Sequence, residues 1–208
     1  MTRVTGGALR GRRLATPPNA RTRPTLARVR QALFAALEHL PGGQPAGSVL
    51  DLYAGSGALG VEAVSRGWQE VWFVERDPAA LQALRRNVQA LGLAGRARVL
   101  AWDVARFLAS PAFAERRFDL VFVDPPYAVG PRPVLERLGA VAPGRIGLVV
   151  AHHPLGEELP AAVGNLVCVW RRRYGRAGLA VYAGGRAGGG SAGNEGSAAE
   201  GGPVSGQL

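Results

Sequence analysis

The stretch SVLDLYAGSGALGVEAVSR, residues 48–66, decides the fold. Val49-Leu50-Asp51-Leu52 reads as a short apolar strand and Ala54-Gly55-Ser56-Gly57 as a turn. The run after it reads as a helix that packs Leu59, Val61, Ala63 and Val64 back onto the strand. Strand, glycine turn and helix in this order make the ligand crevice of an open α/β sheet. Gly55 and Gly57 let the backbone turn sharply and approach a ligand, and the helix start offers free N–H groups.

Gly55, Gly57 and Gly60 also match the G-x-G-x-x-G dinucleotide fingerprint. Asp51 argues against a dinucleotide, because a carboxylate at the strand tip would meet the pyrophosphate with like charge. S-adenosylmethionine carries an ammonium and a sulfonium instead, both of which suit an anion. Asp51, Ala54, Gly55, Ser56 and Gly57 are therefore read as its contacts. A glycine turn with no ligand is the competing reading of this stretch taken alone.

Downstream, Val71–Val74 is a second strand ending in Glu75-Arg76-Asp77. Glu75 stands where an acid clamps ribose hydroxyls in such crevices, with Arg76 beside it. Asp77-Pro78 opens a helix running to about Leu91. Asp103 follows the third strand, 98–102, where it can accept from an adenine amino group. As alternatives, Glu75 is a helix-capping acid and Asp103 the N-cap of a helix over 104–108.

The continuous apolar run Phe118–Val123 reads as a central parallel strand. It delivers Asp124-Pro125-Pro126-Tyr127 to the carboxyl edge of the sheet, because proline cannot extend a central strand. This tetrapeptide suits methylation of an exocyclic base amine, a poor nucleophile whose lone pair is delocalised into the ring. The Asp124 carboxylate and Pro125 carbonyl can hold its two N–H bonds, while Tyr127 stacks on an extruded base. Pro125 and Pro126 keep the two acceptors aligned.

A helix from Arg132 to Ala142 and a fifth strand, 145–151, come next, followed by His152-His153. Adjacent histidines point to different sides and lack a third ligand, so no metal is expected. Strands over 167–174 and 177–182 read as an antiparallel closing hairpin. Arg171-Arg172-Arg173 within it is rim charge or a second phosphate contact. Cys168 reads as buried filler, and a single cysteine excludes an internal disulfide. Residues 184–208 lack the apolar content to order themselves and read as a disordered tail.

The charge balance adds a partner. The net charge is +10 and every one of the 25 cations is arginine. Residues 1–37 hold eight arginines and no acid. They divide into a small β-hairpin, an extended segment and a helix from Thr25 to about Leu40. Leu26, Val29, Leu33, Leu37 and Leu40 lie on one face of that helix, with Arg28 and Arg30 pointing away from it. Unpaired cations at this density call for a polyanion, so Arg3, Arg10, Arg12, Arg13, Arg21 and Arg23 are read as RNA contacts. Residues 1–40 thus form a basic extension and 48–183 the catalytic domain. The chain shows no leader-like apolar segment and no run of membrane-spanning length, which predicts a cytoplasmic protein.

These motifs together resemble the RsmD family of bacterial small-subunit rRNA guanine-N2 methyltransferases. The likeness spans roughly residues 3–183. It rests on R-V-T-G-G and R-G-R-R-L near the start, on R-P-T-L-A-R-V-R-Q-A-L-F at 23–34, and on the motifs at 51–63 and 122–127. It implies a Rossmann-like, mostly parallel sheet of class I S-adenosylmethionine-dependent type with an antiparallel closing hairpin. It further implies one guanine of 16S rRNA as substrate, recognised in the assembling or assembled small ribosomal subunit; the enzyme is expected to be a monomer. A DNA adenine-N6 or protein glutamine methyltransferase, or a non-catalytic assembly factor, are the alternatives the residues leave open.

Overall fold

The apolar runs form one eight-stranded sheet, in a computed structural model that describes residues 2–17, 24–175 and 177–185. Arg21, Arg23 and the run from 186 onward lie outside the described residues. The N-terminal part holds β1 (Thr2–Arg3), β2 (Arg13–Leu14) and α1 (Pro24–Glu38). Next come β3 (Ser48–Leu52), α2 (Ala58–Ser65), β4 (Glu70–Glu75), α3 (Pro78–Ala90) and β5 (Ala97–Ala101). After these follow α4 (Val104–Leu108), α5 (Pro111–Ala114), β6 (Phe118–Val123) and α6 (Arg132–Gly139). The last strands are β7 (Ile146–Pro154), β8 (Ala162–Val163), β9 (Leu166–Tyr174) and β10 (Ala177–Gly184).

Strand order is β5-β4-β3-β6-β7-β10-β9-β8, with the first five parallel and the last three antiparallel. The chain works outward from β3 through β4 and β5, then returns to β6 on the other side. The order therefore reverses between β3 and β6, and their carboxyl ends open the crevice where such sheets bind ligands. The expected mostly parallel sheet with an antiparallel closing hairpin is borne out. Short helices α5 and the two-residue β8 are additions that sequence periodicity does not mark.

Each face of the sheet has its own core. One is built on Val49, Val71, Phe73, Leu120, Phe122, Val150 and Leu179, and is covered by α1, α2 and the N-terminal hairpin. The other carries Leu50, Leu52, Trp72, Val121, Val123 and Tyr182, covered by α4, α5 and α6. Alternate residues of the same strand feed opposite cores, as a strand buried on both faces requires.

The N-terminal hairpin is antiparallel, as its glycines suggest, with Thr2 opposite Leu14 and Arg3 opposite Arg13. It is also stitched to the body. Val4 and Leu14 are buried in the first core. Ser65 Oγ accepts from Leu9 N–H and donates to the Gly6 carbonyl, and Asn87 exchanges hydrogen bonds with the Ala15 backbone.

Arg30 corrects the sequence reading. It does not point outward with Arg28, but is 5% exposed, its Nε donating to Glu62 at 3.1 Å. Glu62, fully buried on α2, also accepts from Thr5 N–H, from Thr5 Oγ1 and from Arg66. The Arg30 guanidinium donates onward to the Arg3 carbonyl. The missing acid was one helix away in space and 32 residues away in sequence. Cys168 is likewise half-buried rather than buried, accepting from Arg171 Nε.

Candidate active site

The crevice is organised by backbone geometry at the end of β3. Tyr53 has φ +60, a left-handed conformation strained for a tyrosine, and Gly55 and Gly57 follow at φ +56 and +81. A Cβ on Gly55 would meet nothing within 4 Å, so the space above it is free for a ligand. A Cβ on Gly60 would stand 2.4 Å from Phe73 Cε1, so this glycine serves the close approach of α2 to the sheet. The two glycines of one motif thus do separate tasks.

Asp51 is buried at the floor of this turn, where its Oδ2 accepts from Gly60 N–H at 2.9 Å. Gly57 occupies the N-cap of α2 and has no side chain to offer, so Asp51 supplies the missing acceptor from the preceding strand. Burial pushes its carboxyl well above the usual carboxylate range. The Gly60 hydrogen bond opposes that rise, while the carboxylates of Asp124 and Glu75 reinforce it. A bound cation would relieve this repulsion.

Glu75 ends β4 with both carboxylate oxygens engaged. Oε2 accepts from Gly55 N–H at 2.8 Å, and Oε1 from Arg76 and Asp77 N–H at 2.7 and 2.8 Å. It therefore ties the glycine turn to the tip of the neighbouring strand. Capping of α3 falls to Asp77, which accepts from Ala80 N–H. Asp103 does act as the N-cap of α4, accepting from Ala105 and Arg106 N–H. Its second oxygen faces Arg76 at 3.0 Å, in a pair that solvent reaches freely.

Two cavities meet at this edge. The larger, about 870 Å³, is lined by Glu75, Arg76, Trp102, Asp103, Pro125 and Pro126, among others. The smaller, about 230 Å³, is bounded by Asp51, Ala54, Gly55 and Ser56, by Arg30 of α1, and by His152. Tyr53 and Asp124 line both, and so form the wall between them. Of the crevice residues read from the sequence, all but Gly57 and Tyr127 border one cavity or the other. Tyr127 stands at the rim, 52% exposed, its ring 6.2 Å from that of His152.

His152 is the residue that motif reading missed. Its Nδ1 lies 2.5 Å from Asp124 Oδ1. A carboxylate only accepts, so Nδ1 carries the hydrogen and the imidazole fixes one oxygen of Asp124. Strand register carried the signal: Val123 of β6 pairs with Ala151 of β7, so the next residues, Asp124 and His152, are neighbours. Among the described residues no three histidine, cysteine, aspartate or glutamate side chains gather as a metal site. Among the same residues no helix is long and apolar enough to cross a membrane.

A family profile described as "Conserved hypothetical protein 95" matches residues 2–183. The chain belongs to this family, the RsmD family. YlbH of Bacillus subtilis, provisionally named as an rRNA methyltransferase, is 37% identical over 183 residues, 86% of this chain and 97% of YlbH. Ribosomal RNA small subunit methyltransferase D of Escherichia coli K12 is 41% identical over 128 residues, 62% of this chain and 61% of its own length. The solved structure of Escherichia coli yhhF, provisionally named a methyltransferase, is 30% identical. It superposes with a TM-score of 0.73 over 88% of this chain and 97% of yhhF. The RsmD-family resemblance read from the motifs is thereby borne out, and so is the S-adenosylmethionine-dependent methyltransferase fold. In this RsmD-family chain the hairpin arginines Arg3, Arg10, Arg12 and Arg13 are all exposed. Arg3 also donates to the Gly11 carbonyl and Arg12 to that of Ala90.

Proposed function

We propose that this chain methylates the exocyclic N2 amine of a guanine in 16S rRNA, acting as a monomer on the small ribosomal subunit. The observation that carries the reading is the position of Asp124, the wall shared by the two cavities, with one oxygen fixed by His152. A group at this wall faces ligands from both sides at once.

The residues suit S-adenosylmethionine as the cofactor. The larger cavity offers Glu75 and Asp103 as acceptors for ribose hydroxyls and an adenine amine, with Trp102 and Pro125 as apolar walls. The open space over Gly55 and the buried carboxyl of Asp51 suit the cationic end. S-adenosylmethionine supplies an electrophilic methyl group when bound. The protein's part is to prepare the nucleophile. Asp124 accepts from the target amine, the Pro125 carbonyl takes its second N–H, and the lone pair is turned out of conjugation. Tyr127, exposed at the rim, closes over the base by stacking. Preorganised acceptors in a fixed backbone contribute most of the rate, since no covalent intermediate is needed.

Guanine is favoured over adenine by the chemistry of Asp124. Beside its amine, guanine presents an N1–H donor, so one carboxylate can take two parallel hydrogen bonds. Adenine presents an acceptor lone pair there, which a carboxylate repels. Arg3, Arg10, Arg12 and Arg13 serve as phosphate contacts, which fits an RNA partner better than a protein glutamine. The names of the relatives, an rRNA and a small-subunit rRNA methyltransferase, support the same substrate class. The test is tritiated-methyl transfer to deproteinised rRNA and to isolated small subunits, followed by digestion to nucleosides. Label in N2-methylguanosine is the expected result. Label in another nucleoside, or in ribosomal protein alone, contradicts it.

A further inference from the structure

The three consecutive arginines of β9 do not act together. Successive strand residues point to opposite faces, and the cross-strand register assigns each one. Arg171 pairs with Ala180, which belongs to the second core, and its guanidinium is held by Cys168 Sγ and the Pro160 carbonyl. Arg172 pairs with Leu179, and Leu179 pairs in turn with His152 of β7. His152, Leu179 and Arg172 thus form one row across three strands, on the face of the first core. At the spacing of adjacent strands, Arg172 lies about 10 Å from His152 along that row. Leu179 and His152 both line the smaller cavity.

Two flanking residues share that face. Trp170 and Tyr174, two positions either side of Arg172, are half-buried against the first core. Arg172 itself is exposed and makes no ion pair among the described residues. The smaller cavity is also bordered by Thr2 of β1 and by Thr16, two residues beyond β2. The exposed hairpin arginines and Arg172 thus both lie close, in the chain or along the sheet, to residues that border the same cavity. An aromatic–cation–aromatic strip beside the smaller cavity suits a single-stranded nucleic acid, which is held by stacking and phosphate neutralisation together.

We propose that Trp170, Arg172 and Tyr174 form a second RNA contact, which seats the strand flanking the target nucleotide. This rests on the rRNA reading above, and it goes further by dividing the arginine triplet. Arg172 grips a phosphate, Tyr174 offers a stacking surface, and Arg171 and Arg173 take no part.

The test uses the full chain. Affinity for deproteinised 16S rRNA is measured across a salt series for the unmodified protein, Arg172→Ala, Tyr174→Leu and Arg173→Ala, with S-adenosylmethionine affinity read alongside as a check on folding. Arg172→Ala should flatten the slope of log affinity against log salt by about 0.7, the value for one single-strand phosphate contact. Tyr174→Leu, which keeps apolar packing, should weaken binding about fivefold or more at unchanged slope. Arg173→Ala should match the unmodified chain. A full slope in Arg172→Ala, or an equal loss of slope in Arg173→Ala, overturns the strip while leaving the rRNA reading intact. An unmodified chain that neither binds nor methylates rRNA overturns both.

Discussion

Two arginine–carboxylate pairs flank the crevice at almost the same distance and do opposite things. Arg30 and Glu62 meet at 3.1 Å with exposures of 5% and 0%, and Arg76 and Asp103 at 3.0 Å with 74% and 45%. Distance alone would rank them equal. Burial separates them, because a charge taken out of water depends on its partner, while an exposed one falls back on solvent. Glu62 receives four hydrogen bonds from three segments, so the first pair is an anchor that fixes the hairpin and α1 onto α2. The second lies at the mouth of the larger cavity, where a ligand can displace Arg76 from Asp103 at little cost. One side of the site is built to stay and the other to rearrange.

The largest expected effect breaks the anchor. Glu62→Ala leaves Arg30 charged and buried without its partner, which should cost about 3–5 kcal/mol of stability. Chemical denaturation of the variant reads this directly, and amide exchange at Thr5 and Leu9 should rise with it. A loss below about 1 kcal/mol would mean that the buried pair anchors nothing.

Glu75→Ala should weaken S-adenosylmethionine binding by about 1–3 kcal/mol, the range for losing charge-assisted hydrogen bonds. Glu75 holds the Gly55 turn as well as facing the larger cavity, so a Glu75→Gln variant separates the tasks. The amide oxygen can still accept from Gly55 N–H. An unchanged dissociation constant in both variants would remove Glu75 from the cofactor site.

Asp51 gives a pH-dependent contrast. Its carboxyl titrates well above the ordinary carboxylate value in the folded chain, so the folded state holds a proton that the unfolded state has lost. Its contribution to stability therefore falls as pH rises from the ordinary carboxylate value toward the raised one. Asp51→Asn keeps an acceptor for Gly60 N–H and removes that loss. The stability advantage of the variant over the parent should widen from pH 4 to pH 8, while its affinity for S-adenosylmethionine falls. A pH-independent difference in denaturation midpoint would contradict the burial argument.

The smallest effect is expected at the exposed pair. Asp103→Asn should change stability by no more than about 1 kcal/mol, since the amide oxygen can still cap α4 and surface pairs contribute little. Its influence should appear in cofactor affinity instead. A stability loss as large as that of Glu62→Ala would erase the contrast between the two pairs.

The elements that sequence reveals are those whose residues act through neighbours along the chain. Phe118–Val123 was legible because five of its six residues are apolar, broken only by Asp119 near its start, as a strand buried on both faces requires. Asp103 was legible as an N-cap because a cap sits next to its helix. Arg30 was not, since its partner belongs to another helix and only packing brings the two together. His152 escaped for the same reason: its chemistry depends on the register of β7 against β6. The arginine triplet of β9 reads as one basic cluster, and only the sheet divides it between two faces. The hairpin shows the limit most clearly. Its charge reads as a separable arm, yet Val4 and Leu14 belong to the core. Deleting it would test folding, whereas Arg10→Ala with Arg13→Ala tests RNA contact.

The central claim is that Asp124 holds the target amine rather than the cofactor. Asp124→Ala answers it through two readings on one preparation, calorimetric binding of S-adenosylmethionine and tritiated-methyl transfer to small subunits. The expected result is a dissociation constant within a few-fold of the parent and a loss of transfer of about a hundredfold or more. Near-normal turnover with intact cofactor binding would contradict it and take Asp124 out of the reaction.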